Sequence, residues 1–259
     1  MHEIHGVRIG VRADDNQILE HLVKRMPPGS TKETRHKPDQ VFCALTQVTS
    51  GDPQYKLYTN DCELTQTADF DQFLDEFESS VGIYVAENAR GLVFVHAGCV
   101  GWNGEAIVIP GRSYSGKTTL VKALLRAGAT YYSDEYAVLD HKGLVHPYQR
   151  PLSVRGEQAA RRRIQAEALG ATVGDAGIPV GLVIITRYEQ GGRWQPRRTT
   201  PGQIVMSLLD NTVCARRKPE TVLPVLGTVG KCAKGFEGVR GEADEIVCKL
   251  LIPDPSRFI

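Results

Sequence analysis

The run Gly111-Arg112-Ser113-Tyr114-Ser115-Gly116-Lys117-Thr118 has the form G-x-x-x-x-G-K-[ST]. Such a loop folds so that successive backbone N–H groups converge on an anion. A helix that starts there points its positive end into the same space. In that setting Lys117 neutralises the outer phosphates of a nucleoside triphosphate, and the Thr118 hydroxyl ligates Mg2+. The second concentration of chemistry is the acid pair Asp134-Glu135, 17 and 18 positions after Lys117. One carboxylate there can hold a magnesium ion or its waters, and the other can take the proton of an attacking hydroxyl. A phosphate cradle alone does not choose between water and another acceptor; the acid pair bears on that choice.

Both groups need a scaffold. LVFVHAGCV and EAIVIPG, residues 92–100 and 105–111, read as strands separated by the turn residues Trp102-Asn103-Gly104. TTLVKALLRAG, starting at Thr118, has helical spacing and a glycine end. ATYYSDEYAVLD, residues 129–140, reads as one further strand, with the acids where an α/β sheet presents ligand groups. PVGLVIITRY adds another buried strand, and C-terminal helices close the core. The strand–loop–helix–strand order is the one a phosphate-binding α/β core requires.

Ahead of this core the chain reads as a small α+β unit. Ile4, Val7, Ile9 and Val11 predict a short edge strand. Ile18, Leu19, Leu22 and Val23 predict a helix stopped by Pro27-Pro28-Gly29; residues 30–39 read as a loop, and VFCALTQVT and YKLYT as strands. Phe70, Phe73, Leu74 and Phe77 recur at i, i+3, i+4 and i+7, which predicts a helix over 69–88 leading into the second unit. The expected division is 1–83 and 84–259.

Composition narrows the function classes. The 259 residues are 41% hydrophobic and carry a net charge of +1, so no global field draws nucleic acid or anionic lipid. The six cysteines form no C-x-x-C pair, which suits buried thiols in a reducing cytosol better than zinc or disulfides. The first residues, MHEIHGVRIGVRADD, carry acids where a signal peptide carries a basic stretch and an apolar core. No apolar run approaches the roughly 18 residues that span a bilayer. A cytoplasmic protein with neither membrane nor nucleic acid as partner is expected.

At the loop and the acid pair the sequence resembles the C-terminal domain of HPr kinase/phosphorylase. That family carries a His at the start of the strand pair before the loop; here His96 precedes Lys117 by 21 positions, and Asp134-Glu135 stand at the family's spacing. The match covers about residues 90–155, including GLVHPYQRPLSVR after the acids. The resemblance implies a PEP-carboxykinase-like phosphate-loop domain with a bent mixed sheet, preceded by the α+β unit. It implies ATP- and Mg2+-dependent transfer to a Ser or Thr hydroxyl of a protein or peptide acceptor; self-association is left open. The nucleotide would be held by Gly111, Arg112, Ser113, Tyr114, Ser115, Gly116, Lys117, Thr118 and Thr119, and the metal by Thr118 and Asp134. His96, Lys117, Asp134, Glu135 and Arg198 would surround the transferring group, Arg198 because Arg197-Arg198 precede a Pro201-Gly202 turn, near where the family places a catalytic arginine.

The sequence departs from the family at three positions. Tyr114 replaces a loop glycine, Glu135 replaces a second Asp, and Ser153 of Ser153-Val154-Arg155-Gly156 replaces a metal-binding Glu. The base is therefore Asp134 or Glu135, and the phosphorylase segment is not recognisable. Two other readings stand beside transfer to protein: a nucleotide-responsive module with weak or no catalysis, favoured by Tyr114 and Ser153, and a small-molecule kinase using Arg155 and Arg197. Arg161-Arg162-Arg163 and Arg216-Arg217-Lys218 read as solvated surface.

Overall fold

The computed structural model of the chain describes residues 1–49, 52–60, 62–112, 115–155 and 161–251. It is a mixed α/β structure that divides into two compact units, Met1–Arg90 and Gly91–Ile259.

The first unit contains β1 (His2–Ile4), β2 (Val7–Ala13), α1 (Asn16–Lys24), β3 (Thr31–Lys32), β4 (Gln40–Thr49), β5 (Asp52–Thr59), β6 (Cys62–Thr67) and α2 (Phe70–Asn88). Its sheet runs β3-β1-β2-β4-β5-β6. The expected edge strand is thus two strands: His5 and Gly6 both take positive φ, the two-residue hairpin turn, and β2 lies inside the sheet, parallel to β4. Helix α2 buries Phe73, Leu74, Phe77, Val81 and Val85, and Asp69 caps it by accepting the amides of Asp71 and Gln72. It packs on β5, β6 and α1, so it belongs wholly to the first unit. The division accordingly falls after Arg90, seven residues beyond the expected boundary.

The second unit contains β7 (Leu92–Trp102), β8 (Glu105–Pro110), α3 (Lys117–Arg126), β9 (Thr130–Ser133), β10 (Tyr136–Asp140), β11 (Leu144–His146), β12 (Leu152–Arg155), β13 (Arg161–Ile164), β14 (Ile178–Tyr188), β15 (Arg197–Arg198), α4 (Pro201–Leu209), α5 (Pro219–Cys232), β16 (Lys234–Arg240) and α6 (Ala243–Leu250). The main sheet runs β11-β10-β7-β8-β14-β16-β15, and β11 also pairs with β14, so the path from β11 to β14 returns on itself. β8, β14 and β16 are mutually parallel, whereas β7 is antiparallel to β8, β9 and β10. A separate hairpin pairs β12 with β13.

Strand alternation sorts the core into two layers. Ile107 and Ile109 of β8 and Leu182 and Ile184 of β14 join α3 and α6 in one cluster. Ala106 and Val108 of β8 and Val180 and Val183 of β14 join α4 and α5 in the other. Period-2 patterning in strands buried on both faces produces this split. Helix α3 is held by Leu120, Val121, Leu124 and Leu125, all buried; full burial of such side chains stabilises by about 1.5–3 kcal/mol each. It sits close to β7 at Gly98, where a Cβ would come within 2.6 Å of a Val121 methyl.

Candidate active site

The glycine-rich run leaves the carboxyl end of β8 and enters α3, as the sequence predicts. Gly116 is the N-cap residue and takes φ +84°, a conformation that side chains other than glycine rarely adopt. Ser113 and Tyr114 lie outside the described residues, as do the side chains of Arg155, Arg161 and Arg162. Arg112 and Thr119 are exposed, and Ser115 and Thr118 are half-buried.

The sequence expectation of one strand over 129–140 is replaced by two. β9 and β10 pair with different parts of β7, and Asp134-Glu135 occupy the bend between them. Ser133 makes the bend, its hydroxyl accepting the amides of Glu135 and Tyr136. β7 is the strand that gathers the site. Tyr136 stands opposite His96 and Pro110 opposite Ala97. The Gly111 amide donates to the His96 carbonyl at 3.2 Å, and the Ala97 amide to the Glu135 carbonyl at 3.1 Å. Loop root, histidine and acid pair therefore meet at one point of one strand.

Side chains complete the junction. Thr118 Oγ1 donates to Asp134 Oδ2 at 3.2 Å, which places the acid beside the first turn of α3. Tyr131 Oη lies 3.2 Å from Asp134 Oδ1 and 2.6 Å from the Arg150 carbonyl. Arg150 Nη1 contacts Glu135 Oε2 at 2.6 Å, with the arginine side chain 8% and the glutamate 34% exposed. Lys117 is 7% exposed, and its Nζ donates to the carbonyls of Gly111 and Arg112 at 2.7 Å each.

Burial sets the protonation states. The Asp134 carboxyl is pushed up to about 6, first by desolvation and then by the charge of Glu135, against the hydrogen bonds of Thr118, the Ser153 amide and Tyr131. Desolvation lowers Lys117 to about 8, partly opposed by Asp134 and Glu135, so it remains largely cationic at neutral pH. His96 is lowered to about 4 by burial and then by the Lys117 charge. The histidine is therefore neutral at pH 7, and the charge that tunes Asp134 is that of Glu135.

Of the residues picked out in the sequence, His96, Gly111, Gly116, Lys117, Thr118, Asp134 and Glu135 are brought together. Arg198 is not part of this cluster: it lies exposed on the edge strand β15, three strand spacings or roughly 14 Å from β8. Its neighbour Arg197 pairs with Glu237 at 2.8 Å. Asn211 meets the cluster through its backbone, its carbonyl accepting the His96 amide at 2.7 Å while its side chain donates to Ser207. Sequence reasoning missed Tyr131, Arg150 and Arg240. Tyr131 reads as strand packing, and Arg150 sits between turn residues without periodicity. Arg240 gains meaning only once β16 is known to run parallel to β8.

The Thr118–Asp134 pair suits magnesium. Two hard oxygens, the Thr118 hydroxyl and the Asp134 carboxylate, stand 3.2 Å apart, close to the roughly 3.0 Å separating adjacent ligands of an octahedral ion with 2.1 Å bonds. Among the described residues no group of three or more His, Cys, Asp or Glu is placed to hold a metal; magnesium characteristically takes one or two protein oxygens and completes its shell with water and phosphate. A Cβ on Gly111 would come within 2.7 Å of Ser115 Oγ, so the loop closes around a backbone without side chains there. No family model matches the chain, and no curated protein matches it either. No helix among the described residues is long and apolar enough to cross a membrane.

Proposed function

We propose that the second unit is an ATP- and Mg2+-dependent phosphotransferase of the HPr-kinase-like, PEP-carboxykinase-like kind, acting on a Ser or Thr hydroxyl of a protein or peptide. The observation that carries this reading is the contact of Thr118 with Asp134. It sets a carboxylate pair against the first turn of the helix whose positive end faces the loop.

The two acids divide the work. Thr118 and Asp134 would hold the magnesium ion, which would neutralise charge on the phosphate oxygens. A buried carboxylate next to a second one is the electrostatic situation a cation relieves, and Asp134 is in it. Glu135 is the more accessible acid and is oriented by Arg150, so it takes the proton from the acceptor hydroxyl. Lys117 turns its ammonium from the loop carbonyls to the outer phosphates. His96, being neutral, contributes a hydrogen-bonding ring rather than a charge. Arg198 has no part in this scheme.

Ser153 supports the alternative of a nucleotide-responsive module without transfer, because it supplies no carboxylate and reaches Asp134 through its backbone amide. Incubating the purified chain with γ-labelled ATP, Mg2+ and a cell extract separates the readings. A discrete labelled protein band is expected. Tight MgATP binding without label or hydrolysis would favour the module, and label confined to small metabolites would favour a small-molecule acceptor.

A further inference from the structure

Lys117 is one buried cation at the start of α3; a second lies behind it. Arg240, the last residue of β16, is 1% exposed. Its Nη2 donates to the Gly116 carbonyl at 2.9 Å and its Nη1 to the Gly241 carbonyl at 3.0 Å. Its Nε has no hydrogen-bond partner, and among the described residues no carboxylate forms an ion pair with it. The nearby acid Glu242 is engaged by the Tyr188 hydroxyl at 2.9 Å, and the Tyr188 ring lies 5.4 Å from the guanidinium. Burial depresses the Arg240 pKa, but a guanidinium stays charged in a protein. Two carbonyls, a ring face and the nearby Glu242 charge compensate this cation only in part, and an uncharged side chain of similar volume would fill the same space without the desolvation cost.

Topology explains why this charge stands where it does. Val108 of β8 is level with Val183 of β14, and Tyr188 is level with Arg240. β14 and β16 thus run about three residues, roughly 10 Å, past the end of β8 and rise alongside the loop. Arg240 meets the loop at the peptide linking Gly116 to Lys117. The carbonyl of that peptide takes the guanidinium. Its N–H is the first of the helix and has no partner within it. Donation to the carbonyl polarises the peptide and makes that N–H a stronger donor. Contact is close enough that a Cβ on Gly116 would collide with Nη2, so the arginine in this position needs glycine there.

We propose that Arg240 is a positioning residue of the phosphate site: acting through the Gly116–Lys117 peptide, it supplies positive field that a bound polyphosphate neutralises. This rests on the phosphate-loop reading above and extends it to a residue outside the motif. It requires the arginine to matter more as the ligand carries more charge, and to be dispensable for the ligand-free fold.

The experiment compares wild type, Arg240→Met and Arg240→Lys in calorimetric titrations with MgATP, MgADP and AMP, and in thermal unfolding without ligand. Arg240→Met is expected to weaken MgATP about tenfold more than AMP, about 1.4 kcal/mol, with MgADP between. Arg240→Lys is expected to recover MgATP affinity to within about threefold of wild type, and ligand-free Arg240→Met to melt no lower than wild type. Equal weakening of all three ligands, or a lysine no better than methionine, would overturn the proposal while leaving the phosphate-loop reading intact. If Arg240→Met does not fold, Arg240→Gln takes its place; failure of both to fold would make Arg240 a prop of the fold and overturn the proposal too. A wild-type chain that binds none of the three would remove the phosphate-loop reading and this inference with it.

Discussion

Removing His96 should make the second unit lose stability as pH rises from about 4 to 6.5. His96 is lowered from 6.5 to about 4. Between those values the unfolded chain binds a proton that the folded chain does not, so stability rises with pH, by about 3 kcal/mol in all. Asp134 is raised from 3.8 to about 6. There the folded chain keeps a proton that the unfolded chain has lost, so stability falls with rising pH, again by about 3 kcal/mol. The two windows, 3.8 to about 6 and about 4 to 6.5, largely overlap, and the two contributions cancel to within about 1 kcal/mol. Wild type should therefore show almost no slope from this pair. His96→Asn leaves Asp134 alone and should lose about 3 kcal/mol between pH 4 and 6.5, whereas Asp134→Asn should gain about as much.

The assay is urea unfolding at half-unit pH intervals in the presence of EDTA, followed by tryptophan fluorescence. The chain has two tryptophans, Trp102 and Trp194, and both belong to the second unit, so the signal reports that unit alone. Groups that do not interact with His96 or Asp134 are common to the two variants and drop out of their difference, which should approach 6 kcal/mol across the range, about twice the single-group figure. Profiles of His96→Asn and Asp134→Asn that run parallel to within about 1 kcal/mol would refute the claim that burial holds one of these groups neutral and the other protonated near pH 5.

Three further outcomes are expected. Lys117→Ala should abolish both MgATP binding by calorimetry and transfer of label, because it removes the cation that faces the outer phosphates. Glu135→Gln should keep MgATP binding and lose transfer, while Asp134→Asn should raise the Mg2+ concentration needed for half-maximal nucleotide binding; the reverse pattern would exchange the roles of the two acids. Gly116→Ala should lower the melting temperature, since a left-handed φ costs about 1–2 kcal/mol for a residue with a Cβ.

What could be read from the sequence follows from how local each signal is. The loop between β8 and α3 is contiguous, so its glycines, lysine and threonine announce both the turn and the helix start. The Asn103-Gly104 turn is equally local, both residues taking positive φ as an Asn-Gly hairpin demands. The split of 129–140 into β9 and β10 was hidden because Tyr131, Tyr132, Tyr136 and Ala137 are all buried, which makes two short strands look like one long apolar run. What breaks that run is the Ser133 hydroxyl gathering two backbone amides, a geometry that composition does not display. The membership of α2 was missed for a related reason: periodicity gives a helix its apolar face but not the sheet that covers it.

The residues that sequence patterns ranked lowest share a physical trait with those they ranked highest. Lys117, Asp134, Arg150 and Arg240 are all charged and all at most 9% exposed, in a chain whose charged side chains are otherwise mostly exposed or half-buried. Charges are kept out of interiors unless something offsets their desolvation. Arg150 has Glu135, and Asp134 has the Thr118 hydroxyl and the Ser153 amide as donors and still holds its proton to about 6. Lys117 and Arg240 form no ion pair among the described residues: Lys117 donates to the carbonyls of Gly111 and Arg112, and Arg240 to those of Gly116 and Gly241. Two buried cations and a crowded pair of carboxylates gathered at the start of α3 make a field that a magnesium polyphosphate would relieve. A fold selected for stability alone would have no reason to assemble it.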